Sequence, residues 1–158
     1  MVERKVASCA AFFIGIFVDG TKHYSIMKTK QIWANLATSN LERTTKFYTE
    51  LGFKANNSNG SRELTSISFG ENNFIINFFL KDILQSNTHS AIADLKNGNE
   101  IIFSLSAQSK EEVNKWVEMV KKAGGKITVE PYEIMQGYTF VFSDPDGHKF
   151  NVLYWPGM

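Results

Sequence analysis

Asparagine is a poor strand residue, yet Asn35, Asn77 and Asn151 each sit inside an apolar run of strand length. A buried amide without a partner costs about 1–3 kcal/mol. Each therefore needs another side chain, a backbone group, a water or a ligand. Strand alternation gives them company. Trp33 shares a face with Asn35, Phe79 with Asn77, Ser104 with Glu100, and Trp155 with Asn151. A few polar groups among aromatic rings are what a pocket uses to orient a flat ligand. Trp33, Phe79 and Trp155 are the candidate stacking surface. Asn35, Asn77, Ser104 and Asn151 are the candidate polar contacts. The alternative is that these amides bond one another or nearby backbone.

Glu100 is the candidate for chemistry. Buried between aromatic walls, its pKa rises and it can act as a general base. The alternative is a solvated carboxylate at a strand end, after the Asn97-Gly98-Asn99 turn. Histidines add little: no pair among His23, His89 and His148 has metal-ligand spacing. His148 follows a turn and is expected to face solvent, whereas His89 lies in a linker within reach of a cavity mouth. Cys9 is the one cysteine, which excludes an intramolecular disulfide framework and makes a reducing compartment the default. Gly124-Gly125 follows a helix rather than opening one, so it is no phosphate loop.

Elements that would position these residues come in two sets with the same order. The first runs from a strand at Ile32–Thr38, through a helix for which Ser39 and Asn40 both offer an N-cap, Ser39 with Glu42 at capping-box spacing, and which stops at Gly52, to a short strand from Phe53. Asn56–Ser61 is turn chemistry, and Arg62–Phe69 and Phe74–Leu80 read as an antiparallel pair. The second set repeats this from Ile101–Ala107. A Ser109/Glu112 capping box opens its helix, whose buried stripe is Val113, Trp116, Val117 and Val120, and Gly124-Gly125 ends it. Ile127–Glu130 is a strand, and Gly137–Ser143 and Phe150–Trp155 form a hairpin joined by Asp144-Pro145-Asp146-Gly147. The segment between the halves has room for a short helix at Thr88–Leu95.

The chain of 158 residues suits one domain, or two small modules sharing a core. Thirteen phenylalanines point to packed sheet faces or an aromatic-lined cavity. Net charge is +1 with no basic stripe, which argues against a nucleic-acid partner. Residues 1–27 form an N-terminal extension, followed by a domain at 28–158 with module one at 30–82, a linker at 83–99 and module two at 100–158. The apolar run Val6–Val18 is too short to cross a bilayer, which takes about 20 residues. It reads as an upstream extension before a start at Met27, as a signal or anchor, or as an extra packed element.

Two tracts carry a family resemblance. IWANLATSNLERTTKFYTELGF (Ile32–Phe53) resembles the opening, and GYTFVFSDPDGHKFNVLYW (Gly137–Trp155) the close, of a vicinal-oxygen-chelate module. This is the superfamily of glyoxalases, bleomycin-resistance proteins and dioxygenases, and the likeness is closest to its predicted lactoylglutathione lyase-like subgroup. It implies an α+β fold: two βαβββ modules forming curled mixed sheets around a central cavity. It also implies four metal-ligand positions, which fall on Trp33, Asn77, Glu100 and Asn151. Only Glu100 is a good ligand, because an indole nitrogen is a donor only and amide oxygens suit hard cations weakly. No cofactor is therefore expected, and a divalent metal is the exception.

Function then divides. One expectation is a metal-free pocket for a small planar or aromatic molecule in a cytoplasmic homodimer. Another is a lyase, isomerase or dioxygenase that uses Glu100 as base or metal ligand. A third is an interaction module with an eroded pocket.

Overall fold

A computed structural model describes residues 29–56, 61–99 and 101–157. Glu100, Cys9, His23, Met27, the run Val6–Val18 and residues 57–60 of the first expected turn lie outside the described residues.

Alternation along β1 (Trp33–Thr38) turns Leu36 inward and leaves Trp33 and Asn35 exposed. Helix α1 (Leu41–Glu50) follows at once, and β2 (Lys54–Ala55), β3 (Leu64–Phe69) and β4 (Phe74–Leu80) complete the first half. The sheet order is β1-β4-β3-β2, with β1 parallel to β4 and the other pairs antiparallel. Helix α2 (Lys81–Thr88) continues directly from β4. The second half repeats the plan with β5 (Ile102–Ala107), α3 (Lys110–Ala123), β6 (Lys126–Ile134), β7 (Gly137–Ser143) and β8 (Lys149–Tyr154), ordered β5-β8-β7-β6. The two mixed sheets and their repeated order are the expected α+β architecture. A parallel β1–β4 pair needs a long crossover, and α1 with the β2–β3 segment supplies it.

Local signals account for most helix ends. Ser109 caps α3 by accepting from the Glu112 N–H at 3.2 Å, and the Glu112 carboxylate reaches back to the Gln108 N–H at 2.6 Å. Gly52 and Gly124 follow α1 and α3 in the left-handed region, each at φ +92°. Two expectations fail. The cap of α1 is Asn40, one of its two candidates, whose side chain accepts from the Arg43 N–H at 2.9 Å, and not a Ser39/Glu42 box. Ser39 is drawn instead to Asp146, donating from its hydroxyl at 2.6 Å and its backbone N–H at 3.0 Å. The linker helix lies at Lys81–Thr88 rather than Thr88–Leu95, because no turn residue separates it from β4. His89 ends it in the left-handed region.

Both helices cover one face of their own sheet, and these covered faces meet in a common core. From α1 come Phe47 and Tyr48; from α3 come Val113, Val117 and Val120, at the spacing that stacks side chains on one helix face. Tyr48 joins the halves. Its ring packs 4.8 Å from Phe78 and 5.8 Å from Phe150, and its hydroxyl donates to Asp144 at 2.8 Å. Burial first, and then the Asp144 charge, raise the Tyr48 pKa, so the hydroxyl stays a donor.

The turn after β7 is the second joint. One Asp144 oxygen accepts from the N–H groups of Asp146, Gly147 and His148, which fixes the turn. Asp146 accepts from the Thr38 hydroxyl at 2.7 Å and pairs with Arg43 at 2.7 Å, besides its two bonds from Ser39. His148 is buried rather than solvent-facing, the reverse of the expectation from its place after the turn. Its Nε2 donates to the Ala37 carbonyl at 2.7 Å. Burial pulls the Asp146 carboxyl up, but hydrogen bonds from Ser39, Arg43 and Thr38 outweigh it and hold the group at about 2.

A carboxyl depressed in the folded state stabilises above its unfolded pKa and loses that stabilisation as pH falls. Denaturation midpoints of wild type and Asp146→Asn are expected to differ by about 2 kcal/mol near neutral pH. That gap should shrink as pH falls from about 4 towards 2. A gap independent of pH would show that the Asp146 charge contributes nothing.

Candidate functional site

Opposite the common core, each sheet has a second face. In the first sheet the register sets Asn35 beside Asn77 and Asn77 beside Ser66. The Asn77 amide nitrogen donates to the Asn35 oxygen at 3.0 Å, while the Asn77 oxygen accepts from the Ser66 hydroxyl at 2.6 Å. A polar ladder thus crosses three adjacent strands. Trp33, 55% exposed, lies two residues before Asn35, and the partly buried Phe79 lies two after Asn77. Trp33, Asn35, Asn77 and Phe79 therefore share one face, as alternation requires.

The second sheet repeats the arrangement. Ser104 pairs with Asn151 in register, and its hydroxyl donates to the Asn151 oxygen at 2.6 Å. The Asn151 amide nitrogen reaches the Thr139 hydroxyl at 3.4 Å, and that hydroxyl donates to the Val152 carbonyl at 2.8 Å. Trp155 lies over Gly137, where an added Cβ would stand 2.5 Å from the indole and 2.8 Å from the Tyr154 carbonyl. Only glycine leaves room for that ring. Ser66, Thr139 and Gly137 belong to these faces although alternation around the three asparagines did not single them out. The signal was available, since Ser66 and Thr139 alternate correctly within their own strands.

Within one chain the residues form two groups rather than one. Trp33, Asn35, Asn77 and Phe79 lie on the first sheet, and Ser104, Asn151 and Trp155 on the second. The halves meet through their helix-covered faces, so the second faces stay open, with Trp33 55% and Ile102 48% exposed. His89 is exposed at the end of α2, and His148 is committed to Ala37.

Donor chemistry at the described positions does not fit a resident transition metal. Trp33 offers no lone pair, and the oxygens of Asn77 and Asn151 each already accept a hydroxyl proton. Among the described residues no group of three His, Cys, Asp or Glu side chains converges on one point.

A profile of the glyoxalase/bleomycin resistance protein/dioxygenase superfamily matches residues 30–152. The chain belongs to this superfamily. A hypothetical protein from S. aureus is 30% identical, with a TM-score of 0.73 over 82% of this chain and 96% of its own. A glyoxalase/bleomycin resistance protein/dioxygenase family enzyme from Burkholderia phytofirmans is 22% identical, with a TM-score of 0.64 over 77% of this chain and 95% of its own. A lactoylglutathione lyase from Agrobacterium tumefaciens is 19% identical, with a TM-score of 0.57 over 80% of this chain and 95% of its own. The latter two likenesses show the fold alone. No curated protein matches the chain.

The ladder makes a quantitative prediction. Asn35→Ala and Asn77→Ala should each lower stability by about 1 kcal/mol, and the double variant should lose less than the sum by roughly 0.5 kcal/mol or more. Urea midpoints of the four proteins check this. Strict additivity would mean that the two amides are not coupled.

Proposed function

We propose that the protein binds a small flat molecule on the second faces of its sheets, without a resident metal, as a homodimer. One observation carries the proposal: an exposed tryptophan, Trp33, stands beside a polar ladder on a face that also carries Ile75 and Phe79. Trp33 on one sheet and Trp155 on the other offer stacking surface. Asn35, Asn77, Ser104 and Asn151 offer amide and hydroxyl groups that can exchange a ladder partner for a ligand at small cost.

Open faces of this kind support the dimer. Strands β1 and β5 are edge strands, and each begins with large exposed apolar residues: Trp33 after Ile32 (75%), and Ile102 (48%) after Ile101 (46%). Such edges invite pairing with another chain. A second copy would bring the first sheet of one chain opposite the second sheet of the other. The two half-sites would then become one cavity, the usual form of a small-molecule site. A cytoplasmic location belongs to the same proposal and rests on the single cysteine. No helix among the described residues is long and apolar enough to cross a membrane.

Sedimentation should give a dimer, and a screen of anionic aromatic compounds should raise the melting temperature with at least one of them. Trp33→Ala should abolish that shift while keeping the wild-type circular dichroism spectrum. Nickel, zinc, manganese and ferrous ions should leave the melting temperature unchanged. Stoichiometric metal on the purified protein, lost in Glu100→Gln, would overturn the metal-free part of the proposal.

A further inference from the structure

A cavity of about 360 Å³ lies on the core side of the sheets, away from the faces just described. Six aromatic side chains line it, and their rings touch in an unbroken arc. Trp116 of α3 stands 5.7 Å from Phe53, and Phe53 stands 4.4 Å from Phe69. Phe69 is 6.0 Å from Phe150, Phe150 is 5.3 Å from Phe103, and Phe103 is 6.3 Å from Phe74. No charged residue belongs to the lining; Ser104 and Ser106 border it, but strand alternation turns their side chains to the outer face of β5.

Internal symmetry shows why the space is open. The turn Gly70–Asn73 joins β3 to β4 as the turn at Asp144–His148 joins β7 to β8. In the second half that turn fills its junction with Asp144, Asp146 and His148, bonded to Tyr48, Thr38, Ser39, Arg43 and Ala37. In the first half the same place holds Gly70-Glu71-Asn72-Asn73. Gly70 borders the cavity and contributes no side chain to it. On α3 the place that Tyr48 holds after the cap of α1 is taken by Val117, which has no hydroxyl, and the neighbouring Trp116 lines the space.

The geometry points to a second binding site here, separate from the proposed outer-face site, for a neutral flat molecule of one or two fused aromatic rings. The volume lies within the usual range for small-ligand pockets, about 300–1,000 Å³. Ring walls favour a π-system by edge and offset contacts. An uncharged lining of rings disfavours anions, because a carboxylate would lose its hydration without a donor to replace it. Phe53, Phe74, Phe103 and Trp116 are only partly buried, so a ligand would remove apolar ring surface from water.

The probe is 1-naphthol, with 1-naphthoate as its charged counterpart. The protein has three tryptophans, Trp33, Trp116 and Trp155, and only Trp116 lines the cavity. In wild-type protein, titration with 1-naphthol should move the Trp116 indole N–H resonance, assigned by its loss in Trp116→Phe. Calorimetry should show 1-naphthoate binding at least about tenfold more weakly. Leu105→Trp, which fills the cavity, should weaken 1-naphthol by at least about tenfold. Three results would overturn the inference: no binding of 1-naphthol, equal binding of 1-naphthoate, or movement of the Trp33 or Trp155 resonance without Trp116. Loss of binding in Trp33→Ala with Leu105→Trp unaffected would place the probe on the outer face instead. The wild-type resonances decide the matter even if Leu105→Trp fails to fold.

Discussion

Asp144 and Asp146, two residues apart in one hairpin turn, bind the first half of the chain through separate contacts. Asp146 gathers Thr38, Ser39 and Arg43 at the corner where β1 becomes α1. Asp144 takes the Tyr48 hydroxyl from the next turns of the same helix, and His148 closes the set on the Ala37 carbonyl. Thr38, Tyr48, Asp144 and His148 are buried at this joint while Ser39 and Arg43 close it from the solvent side, and hydrogen bonds to the two carboxylates are charge-assisted. The relation of the two sheets depends on it. With α1 held against the β7–β8 turn, Phe47 and Tyr48 are pressed onto Phe142 and Phe150, and the two modules share one core.

That joint has a counterpart without its chemistry. The β3–β4 turn carries Gly70 and the exposed Glu71, Asn72 and Asn73 where the β7–β8 turn carries two aspartates and a histidine withdrawn into the junction. Polar groups cannot hold α3 there as they hold α1, and aromatic rings surround the space instead. A fold built from two copies of one plan thus closes one junction with ion pairs and hydrogen bonds and leaves the other open to apolar matter. Packing density in protein interiors is high, so an open volume beside a well-filled core stands apart from ordinary imperfection.

The outer faces show a different economy of polar groups. At positions where the superfamily resemblance places metal ligands, Trp33 is exposed and Asn77 and Asn151 join cross-strand hydrogen bonds. Neutral amides and hydroxyls satisfy each other there, so the sheets keep these polar residues at little energetic cost. These faces are what a single chain leaves uncovered. Sharing the helix-covered faces between the two halves means that the same chain cannot also bring the opposite faces together.

Much of the architecture was legible locally. The Ser109/Glu112 cap, the glycines after both helices and the Asp-Pro-Asp-Gly turn are short-range signals, and the structure keeps them. Period-two alternation likewise set Trp33, Asn35, Asn77 and Asn151 on faces away from the core, because strand geometry fixes side-chain direction without reference to the rest of the fold. Where local signals failed, a distant group had won. Ser39 left its capping position for Asp146, 107 residues on, and His148 turned inward to a carbonyl 111 residues back. Sequence alone thus determined the strands, the helices α1 and α3, their order and the face each strand turns to the core. Tertiary structure alone decided which faces meet, which junction is filled and which remains open, because those outcomes depend on contacts between residues a hundred or more positions apart.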